Sequence, residues 1–539
     1  MPREKAHFLP RFWLAIALGA AATANANPYL DHYTYDLAFN GGVALDDRFA
    51  TGSDTKHFDE KMLQLPNGEV VVAGLVPTNA LAGDSISGNI CLVHYTAEGG
   101  RTGWSNPTAS YASYYNIYIT FPNLASAAYS HIVDLKTVGN YIYVLADYRN
   151  SSTDKNVYII VFGTDGSYLG SYAAFTTGLY EYGAGLVPYT YGYVDKFGAG
   201  HTAKELIAVA TYDSGDIIVG GSQVPHFVVT MKRFTIGAGG GLGVDTTFGH
   251  IGNGAIDQPL PLDFCGPYAL NPCSGDAEHV AAVRTDTDSP TLYLFGSAAT
   301  YGNQAHDAFV MAVNGSSGDL LTSFGSNGIY GQSLQPWDYY GFTSSRGPSK
   351  GILATASSAD PAGDIVYVTA RYRESTGCSF EGATVTKIRA NAGPPLNVTV
   401  PDFSWGLGGT ATIAAAPNCA VTGAAASALN FYPETMASDG KRIAVVGFNS
   451  NGDPVFGAVR LTDGRVTAQD ILPWLRSDGS RWEGATNSAY YDGGYQDVAS
   501  AGDGKWTVTG SMCDITAAAC SMFGTTRLFS DAIFGNGYD

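Results

Sequence analysis

The sequence predicts an all-β protein, a β-propeller of seven blades with four antiparallel strands in each. A short apolar strand that ends in a small residue recurs seven times, and its end points lie 63 to 77 residues apart. Such a period indicates one supersecondary unit copied along the chain, because a single copy cannot bury its hydrophobic face. The copies span residues 70–74, 141–146, 217–221, 292–296, 365–370, 443–447 and 506–510.

The composition also favours strands joined by turns. Glycine accounts for 67 of the 539 residues and tyrosine for 34, while charged residues make up only 14%. Average domains have about 25% charged residues and about 7% glycine. Tyrosine suits strands and glycine suits turns. The net charge of −19 argues against a nucleic acid partner, since phosphate backbones are bound by clustered lysine and arginine.

The first element is predicted to be a signal peptide over residues 1–26. Arg3, Lys5 and Arg11 precede and flank an apolar run over 12–22, and Ala24-Asn25-Ala26 follows as a cleavage site. The alternative, a membrane anchor, needs about 20 apolar residues, and this run is shorter. We therefore expect no membrane insertion and a protein that is secreted, periplasmic or at the surface of a Gram-negative bacterium.

Each repeat is predicted to contain four strands. A first strand leads through a tight turn into the recurring strand, whose consecutive apolar residues indicate that both faces are buried. These turns include Asn67-Gly68, Ser214-Gly215, Asp439-Gly440 and Asp503-Gly504. The third strands are expected over 90–95, 157–162, 227–234, 308–313, 383–388, 455–461 and 522–528.

The fourth element has the form Asp-x-x-aromatic-Gly. It occurs at 245–249 and 402–406, and Leu321 replaces the acidic residue in the copy that ends in Phe324-Gly325. A further copy, over 36–42, lies ahead of the first complete repeat, whereas the last repeat stops at Leu528. We therefore expect residues 36–46 to complete the last blade and close the ring, so that no open strand edge is left. An open solenoid is the alternative, and it needs capping repeats that the sequence does not show.

These repeats resemble the delta-60 repeat family of bacterial exported propeller-like proteins. The matching residues are the Gly-containing turn and apolar strand over 67–74, the strand that ends in Arg460, and the Asp-x-x-Phe-Gly-x-x-Gly segment over 245–252. The resemblance covers most of residues 35–530 and implies an exported repeat scaffold and no reaction. From the spacing of the recurring strand we expect one domain over residues 27–530, in seven repeats of about 73 residues. The tail over 531–539 is similar to short C-terminal tails of exported Gram-negative proteins.

Seven cysteines follow the predicted cleavage site. In an oxidising compartment, cysteines that lie near one another in the sequence pair most readily. Three local disulfides are expected, with Cys91 left as a small buried hydrophobic residue. The pairs are Cys265–Cys273, Cys378–Cys419 and Cys513–Cys520.

Aromatic insertions are the best candidates for a binding site. They are expected to form loops on the propeller rim, where tyrosine and tryptophan provide rigid contact surface for a protein or a sugar. The alternative is that they pack between blades. The candidate ligand-binding residues are Tyr182, Tyr189, Tyr191, Tyr193, Trp337, Tyr339 and Tyr340.

No catalytic constellation is evident in the sequence. The Gly-x-Ser-x-Gly segment over 347–351 precedes a strand rather than the helix that an α/β-hydrolase requires. No cofactor is expected, although calcium is an option at Asp286 and Asp288 or at Asn449 to Asp453, where turn chemistry is the alternative.

We therefore expect a monomeric binding or scaffold module for an extracellular protein or glycan. A polysaccharide lyase or glycoside hydrolase that acts at the propeller mouth is the alternative, and a structural envelope component is a third reading.

Overall fold

A computed structural model describes most of the repeat region. The described residues are 33–47, 58–77, 88–102, 104, 117–119, 131–149, 154–179, 181–194, 200–219, 222–249, 254–259, 273–283, 291–300, 306–325, 328–332, 349–357, 360–375, 378–389, 400–413, 431–449, 452–475, 494–514 and 519–530. Among these residues, no helix has the length and apolar character needed to cross a membrane. The predicted signal peptide and C-terminal tail lie outside them.

The described chain forms seven antiparallel sheets. It begins with β1 (Tyr33–Tyr35), a 3-10 turn (Asn40–Gly42) and β2 (Leu45–Asp47). Blade 1 contains β3 (Phe58–Gln64), β4 (Val70–Pro77), β5 (Gly88–Tyr95) and β6 (Ile117–Ile119). Blade 2 contains β7 (His131–Val138), β8 (Tyr141–Arg149), β9 (Lys155–Gly163) and β10 (Tyr168–Phe175).

Blades 3 to 5 follow in the same strand order. Blade 3 contains β11 (Glu181–Val194), β12 (Gly200–Val219), β13 (Ser222–Ile236), β14 (Leu242–Val244) and β15 (Ala255–Pro259). Blade 4 contains β16 (Cys273–Val283), β17 (Thr291–Thr300), β18 (His306–Asn314) and β19 (Ile329–Gln332). Blade 5 contains β20 (Ser349–Ser357), β21 (Asp360–Ser375), β22 (Cys378–Arg389), β23 (Val400–Pro401) and β24 (Thr410–Ile413).

The last two blades complete a closed ring. Blade 6 contains β25 (Tyr432–Ser438), β26 (Arg442–Phe448), β27 (Pro454–Arg460) and β28 (Val466–Ile471). Blade 7 contains β29 (Tyr495–Gly502), β30 (Lys505–Asp514) and β31 (Ala519–Ser530). The first strands contact one another in the cyclic order β3, β7, β11, β16, β20, β25, β29 and back to β3. The chain is therefore a seven-bladed β-propeller, as predicted.

The N-terminal segment closes the ring on blade 7. Both β1 and β2 pair with β31. The strand β1 precedes the predicted segment 36–46, β2 overlaps its end, and a turn lies between them. Side chains fix β1 against blade 6 as well. The Tyr33 amide donates to Asp470 Oδ2 at 3.0 Å, and Arg442 Nη1 donates to the Tyr33 hydroxyl at 2.9 Å.

Each boundary between blades buries one aromatic side chain from the outer segment of the preceding blade. These rings lie in seven separate hydrophobic clusters, each of which joins residues of two adjacent blades. Buried aromatic area of this kind holds neighbouring sheets together. The seven residues are Phe39, Trp104, Phe175, Phe248, Phe324, Trp405 and Trp474.

The Asp-x-x-aromatic turn divides the outer strand of blades 3, 5 and 7 into two short strands. In blade 3, the Asp245 amide donates to the Arg233 carbonyl at 3.0 Å between β14 and β15. Gly249 has φ +83°, and a Cβ there would lie 2.5 Å from the Ala255 carbonyl oxygen. Glycine is required because both the left-handed conformation and the close approach exclude a side chain.

Blade 3 corrects one of the seven predicted repeats. The segment of its second strand that pairs with both neighbouring strands and is fully buried is 206–210, and the predicted copy 217–221 lies further along the chain. Among the described residues, 213–219 pair only with 222–227, beyond the last pairs of β11 and β15. The predicted turn at Ser214-Gly215 accordingly lies within β12, at a break in its register. This copy matched the expected spacing because its hairpin carries an apolar run of the same kind.

The predicted disulfides are only partly within the described residues. Cys265 and Cys419 lie outside them, while Cys273 and Cys378 begin β16 and β22. The backbones of Cys513 and Cys520 lie directly opposite each other in the β30–β31 pair. The three bridges stay predictions.

Candidate functional site

The two faces of the propeller differ in what they carry. At the upper face lie the hairpins between second and third strands, together with the start of each first strand. At the lower face lie the turns between first and second strands and those between third and fourth strands. A group of charged and tyrosine side chains collects where blades 2 and 3 meet at the upper face. We call this group the blade 2/3 site, and it consists of Asp147, Asp154, Lys155, Glu181, Tyr182, Tyr212 and Asp257.

Blade 2 contributes a buried ion pair to this site. Lys155 Nζ lies 2.9 Å from Asp147 Oδ2, and the two side chains are 1% and 3% exposed. The second oxygen of Asp147 accepts the His131 amide at 2.9 Å. A buried pair needs such additional hydrogen bonds, because desolvation otherwise outweighs the attraction between the charges.

The same lysine also contacts the aromatic ring of a predicted site residue. Lys155 Nζ lies 4.5 Å from the centroid of the half-buried Tyr182 ring. A cation at this distance is attracted by the negative face of the ring. This contact orients Tyr182 at the boundary between the two blades.

Blade 3 contributes a fully buried carboxyl group, Glu181. Its Oε1 accepts hydrogen bonds from the amide of Thr177, at 2.6 Å, and from the Thr177 hydroxyl. Its Oε2 is buried without a hydrogen-bond partner among the described residues. Burial raises the pKa of Glu181 above its ordinary value, the charge of Asp154 raises it further, and the Thr177 hydrogen bonds oppose the shift. Because Oε2 has no hydrogen-bond partner among the described residues, a ligand that donates a hydrogen bond would be favoured at this oxygen.

Tyr212 lies directly across the β11–β12 pair from Glu181. Its half-buried hydroxyl is hydrogen-bonded to the exposed carboxylate of Asp257, on the outer strand β15. Burial, together with the negative charge of Asp257, raises the pKa of Tyr212 to about 12. The hydroxyl therefore stays protonated at neutral pH and acts as a hydrogen-bond donor.

The sequence predicted that the aromatic segment around residue 182 forms a loop on the propeller rim, but the structure shows a strand there. Residues 181–194 form β11, the innermost strand of blade 3. Tyr182 lies in the blade 2/3 site, whereas Tyr189 is buried within the blade at 6% exposure. Tyr191 and Tyr193 continue the same strand, and their side chains are outside the described part of the chain. Trp337, Tyr339 and Tyr340 lie outside it entirely.

Sequence reasoning missed most of the site. Lys155, Glu181 and Tyr212 are separated along the chain and meet only because blades 2 and 3 pack together. The sequence contained a signal for two of these residues. Lys155 follows an aspartate at the start of an apolar strand, and Glu181 lies inside the aromatic run. Neither signal is specific without the pairing of the sheets.

Two further groups of polar side chains make local structural contacts. His94 lies 2.9 Å from Glu69 and stacks on Trp104, and burial lowers its pKa although Glu69 opposes the shift. Asn449 closes a turn through its side-chain bonds to Asp453, at 2.9 and 3.0 Å, so the turn reading fits there.

The described residues do not assemble the calcium or Gly-x-Ser-x-Gly candidates of the sequence analysis into a site. The described residues contain no group of three or more His, Cys, Asp or Glu placed to hold a metal ion. Asp286 and Asp288 lie outside the described residues. Ser349 and Gly351 of the Gly-x-Ser-x-Gly segment lie in β20, a strand of an all-β blade.

Comparisons with known proteins identify no family for this chain. No protein-family model and no curated protein matches this sequence. A NanB sialidase from Streptococcus pneumoniae is 12% identical with a TM-score of 0.33, over 90% of this chain and 70% of that chain. A Trypanosoma rangeli sialidase is 9% identical with a TM-score of 0.33, over 77% of this chain and 56% of that one.

A third solved structure, an alpha-L-arabinofuranosidase from Lactobacillus brevis, is 10% identical with a TM-score of 0.30, over 61% of this chain and 87% of that one. At these identities and TM-scores the similarities support no statement about function. The pairing of its strands is what identifies this chain as a seven-bladed β-propeller.

Proposed function

We propose that this protein is a non-catalytic β-propeller module that binds an extracellular glycan at the blade 2/3 site. The observation that carries the proposal is the buried Glu181 Oε2, which lacks a hydrogen-bond donor and lies beside two half-buried tyrosines. Sugar hydroxyls supply such donors, and tyrosine rings pack against the apolar faces of sugars. The exposed carboxylate of Asp257 adds another acceptor at the edge of the site.

The choice of a glycan over a protein ligand follows from the mixture of groups. A protein hot spot is typically a desolvated aromatic or arginine anchor surrounded by near-neutral contacts. The blade 2/3 site instead combines carboxyl groups with the hydroxyls and rings of tyrosines, which suits a ligand with many hydroxyl groups. A protein ligand is therefore an outcome that the binding test has to distinguish.

The test is retention of the purified protein on neutral polysaccharides, with the supernatant assayed for released sugars in the same tubes. We expect retention without products, and at least tenfold weaker retention for Tyr182→Ala and for Glu181→Gln. Tyr168→Ala is the control, because Tyr168 is a tyrosine that is 49% exposed and begins the outer strand of blade 2, away from the site. Retention that is equal for all three variants would contradict the proposal.

A glycoside hydrolase is the second candidate. Glu181 has a raised pKa, and Asp154 is close enough for its charge to contribute to that shift. Glycoside hydrolysis requires two carboxyl groups, of which the one with the raised pKa serves as the general acid. Release of reducing sugars that is lost in both Glu181→Gln and Asp154→Asn would favour this candidate over the binding module.

A further inference from the structure

Blade 3 carries a hairpin that rises above the rest of its sheet at the upper face. The last pair shared with the inner strand is Glu181–Tyr212, and the last pair shared with the outer strand is Val228–Pro259. Beyond these pairs, residues 213–219 and 222–227 pair only with each other among the residues that the structure describes. Six residues of strand correspond to a height of about 20 Å.

The sequence of this hairpin is unusual for an extension without its own blade. Ile217-Ile218-Val219 and Val224 have the composition of a buried strand, which is why the segment resembles a repeat core. A two-stranded hairpin is at best marginally stable in water. Such an extension needs a reason other than completion of the blade.

Its position supplies the reason. The hairpin begins immediately after Tyr212 and ends immediately before Val228, so it is continuous with the blade 2/3 site. Blade 2 has no comparable extension on the other side, because its second–third hairpin ends at the pair Arg149–Lys155. Among the described residues, the strands of blade 3 therefore extend further above the site than those of blade 2.

We infer that the paired strand residues 213–219 and 222–227 form a wall of the blade 2/3 site, and that the ligand is an extended oligosaccharide rather than a single sugar. This inference rests on the proposed function and adds the ligand's length to it. A wall about 20 Å high gives a chain of sugars additional contacts beyond those at Glu181 and Tyr182. A mono- or disaccharide held at the carboxylates alone would not reach them.

The test shortens the hairpin without opening the blade. Residues 213–227 are replaced by Asn-Gly, because Tyr212 and Val228 are directly opposite and a two-residue turn closes such a pair. The matched control replaces residues 371–382 by Asn-Gly. That hairpin of blade 5 is also on the upper face and extends beyond the last pairs of β20 and β24.

Affinity is measured for disaccharides and hexasaccharides of the xylose, glucose, mannose and N-acetylglucosamine series. The intact protein should bind the hexasaccharide of one series at least tenfold more tightly than its disaccharide. The shortened variant should lose that difference and bind the disaccharide within twofold of the intact protein. The blade 5 control should keep the difference, and thermal melts should show that both variants fold.

Two other results are decisive. A folded variant that binds the hexasaccharide as tightly as the intact protein overturns the wall while leaving the proposed site in place. An intact protein that binds none of the four series contradicts the proposed function and this inference with it.

Discussion

Arg233 and Asp245 join the third strand of blade 3 to its outer turn, with Nη2 2.7 Å from Oδ2. The same guanidinium donates to the carbonyls of Gly315 and Ser316 in the next blade, and it lies 4.9 Å from the Phe248 ring. The pair therefore fixes the outer turn and the boundary with blade 4 together.

The corresponding positions elsewhere show that the pair is part of the repeat. Among the described residues, the residue three positions before the buried aromatic donates its amide to a third-strand carbonyl in four blades. Three of the four carry an aspartate bound to a basic side chain, and blade 4 has leucine and alanine instead. The equivalent pairs are Arg233 with Asp245, Lys387 with Asp402, Arg527 with Asp36, and Ala312 with Leu321.

The first prediction concerns this exchange. Asp245→Ala should lower the free energy of unfolding by about 3 kcal/mol, because it leaves the buried Arg233 without its closest carboxylate. The double variant Arg233→Ala with Asp245→Leu copies blade 4 and should lose less than the single variant. Urea unfolding at neutral pH measures both. A double variant that is less stable than the single one would show that the alanine and leucine found in blade 4 cannot replace the ion pair in blade 3.

The second prediction concerns ring closure. A chain that begins at residue 48 lacks β1 and β2, so β31 is left with an open edge. We expect its Tm to fall by roughly 5 °C or more, whereas a chain that begins at residue 27 should melt as the full sequence does. Equal melting temperatures for the two truncated chains would contradict closure by this segment.

The third prediction concerns Glu181 and stability. Because its pKa is raised in the folded state, folding favours the protonated carboxyl. Its stabilising contribution is present below the ordinary pKa and is lost as the pH rises through the raised value. Glu181→Gln should therefore stabilise the protein at pH 7 by about 1 kcal/mol, the order expected for a buried group without a hydrogen-bond partner.

The control for this prediction is the same comparison of the wild type with Glu181→Gln at a lower pH. At pH 4 the two proteins should differ less, because the wild-type carboxyl is then mostly protonated. Denaturant unfolding at both pH values measures the difference. A variant that is less stable than the wild type at pH 7 would show that Glu181 contributes to the fold rather than to a ligand site.

The fourth prediction concerns Cys513 and Cys520. Directly opposed residues in an antiparallel pair have Cα atoms about 4.5 or 5.5 Å apart, and disulfides accept about 4.4–6.8 Å. We expect non-reducing peptide mapping of the exported protein to find these two residues joined. Removal of both by Cys513→Ser and Cys520→Ser should lower stability by about 2 kcal/mol. Alkylation of both thiols before reduction would contradict the bridge.

The sequence was sufficient to predict the ring and its closure, because both depend on the recurrence of local patterns. The third blade shows the limit of that reasoning. An apolar β-branched run predicts a strand, but it does not say whether inner and outer strands cover it, and residues 217–219 lie beyond both.

The blade 2/3 site was predicted less well than the fold, for a different physical reason. Tyr182 was found because aromatic residues are dense around it. Lys155 and Asp147 were not found, because a buried ion pair looks like two ordinary surface charges until the strands that carry it are packed. Only the contact between blades 2 and 3 gives those residues a role.

The pairing of Tyr33 with Ser530 in one sheet also bears on how the protein is made. Blades 1 to 6 can each form from a continuous stretch of chain, whereas blade 7 needs strands from opposite ends of the sequence. Because contacts between distant residues form slowly, this blade should be the last to assemble, and only after β31 has been synthesised. Once made, β31 has an open strand edge until β1 and β2 pair with it, so the chain is most vulnerable to aggregation in the period before closure.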